Sequence, residues 1–237
     1  CDHASTLLFS PTKAGYNNLI REGFSTQIHE KPTMNKPNIY HSGDIMYDNT
    51  LHFSKMIKNR ETPLSCYGKD FILCTIHRNT NTDDANRLQP IFKAIEEISK
   101  TQKIILPLHP RTKKMMPLTL GESFAKEVEN NSNIEIIDPV SFLDMIYLET
   151  NSKLILTDSG GVQKEAYYLE KPCVILRPQT EWVEIVECGN AAIADADYDK
   201  IVHAVNNYIN TPPKTYPNIF GDGQAARFMC GVMLKCL

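Results

Sequence analysis

The sequence predicts an α/β fold built on a doubly wound, parallel sheet, and three observations carry that expectation. From about residue 70, short apolar runs alternate with segments of helical period. The runs are nearly continuous in Ile, Leu and Val rather than alternating, which is how strands buried on both faces of a parallel sheet read. The intervening segments keep their apolar residues on one stripe and their charges off it.

The elements follow in order. Leu7 to Thr12 reads as a strand running into a helix start, with Thr12 as the cap. Asn38-Ile39-Tyr40-His41 is a second short strand before Gly43. Two strands and a helix cannot close a core, so residues 1–45 read as the remnant of another, amino-terminal α/β domain. Residues 46–69 then form a linker and a crossing helix. The next strands are the runs 71–76, 104–106, 134–137, 154–157 and 173–176. Between them, Leu88, Ile91, Phe92, Ile95 and Ile98 form one helical stripe. Phe142, Met145 and Ile146, and later Ile201, Ala204, Val205 and Tyr208, form weaker ones. Pro90 belongs in the first turns of its helix or at a kink, since it lacks an amide donor. Residues 70–210 thus make one Rossmann-like domain. Residues 211–237 carry a last helix, about 222–236, returning toward the first segment. Both this helix and the crossing helix are expected to expose apolar surface.

Composition narrows the function. The chain has 237 residues, 25 basic against 28 acidic, for a formal net charge of -3. That balance argues against a nucleic-acid partner, because phosphate backbones demand a basic footprint. No apolar run approaches the ~18 residues of a membrane span, so no membrane role is expected. The seven cysteines show no two-residue pairing typical of zinc or redox motifs. Cys74 and Cys173 lie within strands as small hydrophobes, and free thiols suit a reducing, cytoplasmic setting. The chain starts at Cys1 and reads as a processed form or a piece of something longer.

In open α/β sheets, ligands bind beyond the carboxyl ends of the strands. The residues there are His77-Arg78-Asn79-Thr80, His109-Pro110-Arg111-Thr112, Asp158-Ser159-Gly160-Gly161 and Arg177-Pro178-Gln179-Thr180-Glu181. Three of these four sets carry Arg, giving a locally basic rim suited to an anion. The Asp158–Gly161 turn opens a helix of about 161–169. Gly160 and Gly161 allow close approach of backbone amides to a phosphate at a helix N-terminus. Ser159 serves as a cap or as a hydroxyl donor to phosphate, and the turn alone also fits an ordinary capped helix start. Glu165 falls about one and a half turns on, where it could accept from sugar hydroxyls. His77 reads as an acid, a base, a phosphate ligand or a strand-end histidine bonded to backbone. His109 has the same readings. The other histidines show no metal-ligand spacing, and no metal is expected. Glu149, Glu165, Glu181 and Glu184 form no evident carboxylate pair, and Trp182 reads as a helix-face anchor or a pocket wall, with the core role favoured. The Asp-Ser-Gly-Gly letters also occur in chymotrypsin-like proteases, but the strand–turn–helix setting is wrong for that fold, and the elbow of α/β hydrolases is absent.

Taken together, Phe9-Ser10-Pro11-Thr12, Thr75-Ile76-His77-Arg78, Leu106 to Pro110, Leu156 to Ala166, Thr180 to Glu184 and Gly221 to Ala225 resemble the non-hydrolysing UDP-N-acetylglucosamine 2-epimerases, in the family's order. The resemblance implies a two-domain fold like the B-type glycosyltransferases (GT-B), with the amino-terminal domain largely absent here. It implies a UDP-sugar substrate, no cofactor and a homodimer in the intact enzyme. It also implies that Arg78, Ser159, Gly160, Gly161 and Glu165 bind UDP, Ser159 and Gly160 at the diphosphate and Glu165 at the ribose, and that His77 is an active-site residue near the diphosphate. His109 would be a second-site or effector contact. The family's amino-terminal glycine turn and catalytic carboxylates lie upstream of the first matching motif, so the chain is expected to lack them. Trp182 stands where many members have Arg, and Glu-Trp-Val-Glu looks more like the branch acting on UDP-2,3-diacetamido-glucuronate. A glycosyltransferase donor domain and a non-catalytic nucleotide-binding module are the competing readings.

Overall fold

A computed structural model describes residues 1–58 and 60–236 of the protein, with Arg111 described at the backbone alone. Its contacts group the chain into two compact units, Cys1–His52 with Pro217–Leu237, and Phe53–Tyr216.

In the first unit, β1 (Leu7–Ser10) and β2 (Asn38–His41) pair in parallel from Leu7 opposite Asn38 to Ser10 opposite His41. The helix α1 (Lys13–Arg21) joins them, and the Thr12 hydroxyl accepts from the Gly15 amide at 3.1 Å, as the cap reading requires. Leu8, Phe24 and Ile39 form a small core with Tyr16 and Leu19 against it. The helix α2 (Ile45–Ile57) contributes its first half to this unit. There the Asp48 carboxylate accepts from the Ala225 and Ala226 amides at 3.2 and 2.7 Å, capping α11 (Ala225–Cys236). Gly43 and Gly221 meet back to back at φ of +77° and +89°. A Cβ on Gly221 would fall 2.9 Å from the Gly43 Cα. The expected apolar surface on the last helix is present at Phe228, Met233 and Leu234, all exposed.

The second unit holds a six-stranded, all-parallel sheet in the order β5-β4-β3-β6-β7-β8. The strands are β3 (Ile72–Thr75), β4 (Ile104–Pro107), β5 (Ile134–Ile137), β6 (Leu154–Thr157), β7 (Cys173–Ile175) and β8 (Ala191–Ile193). The five expected runs all form strands. The sixth, β8, is three residues of Ala-Ala-Ile, too short and too small to announce itself. The helices are α3 (Asn79–Thr82), α4 (Ala85–Ser99), α5 (Pro110–Leu120), α6 (Glu122–Glu129), α7 (Phe142–Asn151), α8 (Gly160–Tyr168), α9 (Val183–Glu187) and α10 (Tyr198–Asn210). The α4 stripe buries Leu88, Ile91, Phe92, Ile95 and Ile98 in one core with Ile201, Ala204 and Val205 of α10. Each large side chain buried this way contributes about 1.5–3 kcal/mol of transfer free energy, most of it offset by lost chain entropy. Pro90 is the sixth residue of α4 and the helix continues through it, because the packed stripe on either side outweighs one missing hydrogen bond.

Candidate functional site at the strand crossover

Numbered from β3, the sheet runs 3-2-1-4-5-6. In this order the chain reverses its direction of winding between the first and fourth strands, so their following loops part and leave a crevice. Those strands are β3 and β6. The residues past their carboxyl ends are His77-Arg78 and Asp158-Ser159-Gly160-Gly161, so the topology brings together two motifs 80 residues apart.

The crevice floor is tied by side chains. Thr75 and Thr157 share an Oγ1–Oγ1 hydrogen bond at 2.6 Å, and the Ser159 amide donates to Thr157 Oγ1 at 2.9 Å. Asp158 is fully buried. Its carboxylate accepts from the His77 amide at 3.2 Å, the Arg78 amide at 3.0 Å and Asn81 Nδ2 at 3.1 Å. The Arg78 Nε returns a bond to the Asp158 carbonyl at 3.0 Å. A buried carboxylate needs this many donors, since an ion stripped of water and left unpaired costs far more than folding supplies. The His77 ring also approaches Asp158, Nδ1 to Oδ1 at 3.3 Å, with 46% of the side chain exposed.

The helix α8 begins at Gly160, and the Ser159 Oγ accepts from the Val162 amide at 3.5 Å. Used as an acceptor, the hydroxyl keeps its proton for another partner. The first amides of any α-helix have no acceptor within the helix, so Gly160 and Gly161 present N–H groups and the positive end of the dipole together.

The loop after β7 walls this turn. Arg177 forms a two-pronged ion pair with Glu181 at 2.9 and 2.7 Å. That hydrogen bond, with the Arg78 charge adding to it, holds the Glu181 carboxyl below its ordinary value. Trp182 Nε1 donates to the Gly160 carbonyl at 2.9 Å, and the Lys164 ammonium lies 4.3 Å from its ring centre. Trp182 is therefore half-buried at the turn, in the manner of the wall reading and not of the favoured core one. A Cβ at Gly160 would sit 3.6–3.8 Å from Glu181, Arg177 and Trp182, in ordinary contact with this wall.

Glu165 is half-buried further along α8. Glu149 of α7 lies close enough for each of these acids to influence the other's ionisation. Glu149 is fully buried and its pKa is raised well above the ordinary value, first by burial and then by the charge and hydrogen bond of Glu165. Burial also raises Glu165, against the lowering effects of the Glu149 hydrogen bond and the Lys164 charge. The two acids are 16 residues apart on separate helices, which is why no relation between them was evident in the sequence.

The structure gathers His77, Arg78, Ser159, Gly160 and Gly161 at one crevice, with Glu165 below them on α8. His109 stands elsewhere, exposed one strand along at the end of β4, where its carbonyl accepts from the Lys113 amide at the start of α5. The Arg111 side chain lies outside the described residues. Asn81 and Thr75 were not foreseen, and Asp158 was read only as part of the turn, not as its anchor. Burial pushes up the thiols of Cys74 and Cys173, which keeps both unreactive. Among the described residues, no group of three His, Cys, Asp or Glu side chains could hold a metal ion. No helix among them is long and apolar enough to cross a membrane.

A doubly wound sheet with a glycine-led helix N-terminus at its crossover is an architecture of the Rossmann-like α/β class. Comparison with known proteins narrows it. Residues 1–234 match the family model described as UDP-N-acetylglucosamine 2-epimerase. The chain is 39% identical over 229 residues to a UDP-N-acetylglucosamine 2-epimerase homolog of Methanococcus maripaludis, covering 95% of this chain and 59% of that protein. It is also 39% identical over 236 residues to the UDP-2,3-diacetamido-2,3-dideoxy-D-glucuronate 2-epimerase of Pseudomonas aeruginosa, covering 99% and 61%. Among solved structures it resembles the UDP-GlcNAc 2-epimerase of Methanocaldococcus jannaschii in complex with UDP-GlcNAc and UDP, at 35% identity and a TM-score of 0.84, covering 98% of this chain and 62% of that one. The chain belongs to the UDP-N-acetylglucosamine 2-epimerase family. It spans about 60% of the length of the curated relatives it matches.

Proposed function

We propose that this chain is the UDP-binding portion of a non-hydrolysing UDP-N-acetylglucosamine 2-epimerase, an isomerase that interconverts UDP-N-acetylglucosamine and UDP-N-acetylmannosamine. The observation that carries the reading is the joining of the β3 and β6 loops through Asp158, directly beside the α8 N-terminus. In this reading the Gly160 and Gly161 amides and the Ser159 hydroxyl bind the diphosphate, Arg78 adds charge, and Glu165 accepts from the ribose hydroxyls. The reaction removes the proton at C2 while the C1–O bond to UDP breaks, leaving a glucal-like alkene. UDP then re-adds at C1 as a proton returns to the opposite face of C2. The departing diphosphate develops negative charge, and a preorganised helix terminus with His77 and Arg78 stabilises it without reorganising. Residues 70–210 form the UDP-binding domain in this account. The intact enzyme is a homodimer working in the cytoplasm, in keeping with seven free cysteines.

Titration calorimetry with UDP tests the reading. Saturable binding that weakens at least tenfold, about 1.4 kcal/mol, in Ser159→Ala supports it. No heat at millimolar UDP would overturn it.

A second substrate has its own observations: equal 39% identity to the diacetamido-glucuronate enzyme and the Glu181-Trp182-Val183-Glu184 segment. Incubating the protein with each UDP-sugar in deuterium oxide separates the two, since only the true substrate gains deuterium at C2 with an inverted sugar product. A glycosyltransferase would instead need an acceptor.

A further inference from the structure

Asn81, the third residue of α3, has no exposed surface, and both polar atoms of its side chain are bonded. Its Nδ2 donates to Asp158 Oδ2 at 3.1 Å and to the Leu176 carbonyl at 2.9 Å, and its Oδ1 accepts from Arg87 Nε at 3.0 Å. The amide fits only this way round, since a guanidinium nitrogen cannot accept and a carboxylate or a carbonyl cannot donate. Arg87 reaches on through Nη2 to an ion pair with Asp195, two residues past β8. The Asp195 amide in turn donates to the Ile175 carbonyl of β7 at 3.1 Å. One run of side chains, Asp195–Arg87–Asn81–Asp158, thus joins the segments that follow β3, β6, β7 and β8, four neighbouring strands of the sheet. Burying an amide is costly unless its bonds are made, and a fully bonded network selects one arrangement of the groups it joins.

We infer that Asn81 is a positioning residue for the diphosphate subsite: its two N–H groups set the loop after β7 against the glycine turn. This rests on the reading of the α8 N-terminus as the UDP site. Asp158 is followed at once by Ser159 and Gly160, the turn itself. Leu176 is followed at once by Arg177, which holds Glu181, and Trp182 then closes on the Gly160 carbonyl. Asn81 therefore grips the residue that precedes each side of the site. The ladder between β6 and β7 ends where the Leu176 amide donates to the Thr157 carbonyl at 2.9 Å. Asn81 carries the connection one residue further, from the Leu176 carbonyl to Asp158. The spacing of wall and helix amides is the spacing a phosphate chain has to fit, and small errors in it are felt in binding.

The test compares UDP with UMP, which lacks only the terminal phosphate, by calorimetry on the full chain and on Asn81→Asp, Asn81→Leu and Arg87→Met variants. The wild-type protein should prefer UDP by at least about tenfold, the scale of a charge-assisted hydrogen bond. Asn81→Asp offers at most one donor where the amide offers two, and it should reduce the preference to less than about threefold, as should Asn81→Leu. Arg87→Met, at a side chain 24% exposed, spares the core and should reduce the preference about two- to threefold. Trp182 supplies a reading independent of ligand: its emission should move to longer wavelength in the Asn81 variants as the wall leaves the turn. Ile95→Ala, a fully buried change elsewhere in α4, should leave both the preference and the emission as in the wild type. An unchanged preference or an unchanged emission in a folded Asn81 variant overturns the inference, and Arg87→Met decides in the same way if neither Asn81 variant folds. An equal loss of preference in Ile95→Ala, or no preference in the wild type, overturns it as well. If wild-type protein binds neither nucleotide, the UDP reading fails and the inference falls with it, a pattern distinct from binding without dependence on Asn81.

Discussion

Arg78 and Asp158 clasp each other through four groups: the Arg78 amide donates to the Asp158 carboxylate at 3.0 Å, and the Arg78 Nε donates to the Asp158 carbonyl at 3.0 Å. The loops after β3 and β6 are thereby tied to each other across 80 residues of sequence.

Asp158→Ala should therefore cost about 2–4 kcal/mol in urea unfolding, because it orphans the His77 and Arg78 amides and leaves Asn81 Nδ2 with the Leu176 carbonyl alone. Asp158→Asn should cost nearly as much, since its amide offers one acceptor where the carboxylate offers two. UDP affinity should fall in both even at temperatures where they stay folded. A loss below about 1 kcal/mol would show that the loops are held by other means.

Trp182 is the chain's single tryptophan and its indole donates to the Gly160 carbonyl. Its emission should shift saturably as UDP occupies the turn, with the same midpoint as calorimetry. Trp182→Phe keeps the ring for Lys164 but deletes the donor, and should weaken UDP by about three- to tenfold, the scale of one neutral hydrogen bond. An emission spectrum indifferent to UDP, alongside calorimetric binding, would place the nucleotide away from this turn.

These contacts also mark where the sequence stopped being legible. The apolar runs gave five of the six strands in the sheet because burial on both faces writes an unbroken signature, whereas β8 and the short helices α3, α6 and α9 have too few residues to write one. The glycine turn and His77-Arg78 were visible as strand-end motifs. Asp158's role was not, since its partners lie 80 residues upstream and only the crossover order joins them. The nearness of Glu149 to Glu165 was hidden for the same reason: an acid on the polar side of a helical stripe reads as solvated until the packing shows what covers it.

In the first unit, Asp48 accepts from the opening amides of α11 at 3.2 and 2.7 Å. Asp48→Ala should remove a cap worth about 1 kcal/mol and a favourable charge at the helix's positive end. Hydrogen exchange in α11 should speed up about fivefold or more, with β3 to β8 unaffected. Equal acceleration throughout the chain would mean that the two units unfold as one.

Buried Glu149 makes stability depend on pH in a direction opposite to the usual carboxylate. Burial raises the Glu149 pKa well above its ordinary 4.5, so across the interval between those values the folded state holds a proton that the unfolded chain has lost. Unfolding then releases protons, and stability declines as pH rises through the interval, by up to about 1.4 kcal/mol per unit for one group. Below 4.5 the contribution is complete; above the folded-state value it is gone. Glu149→Gln carries no titrating group there. Thermal melts should thus show the Gln variant gaining on the wild type as pH rises above the ordinary carboxyl value of 4.5. A difference between the two that is constant over this range would mean that Glu149 ionises in the folded protein as it does in water.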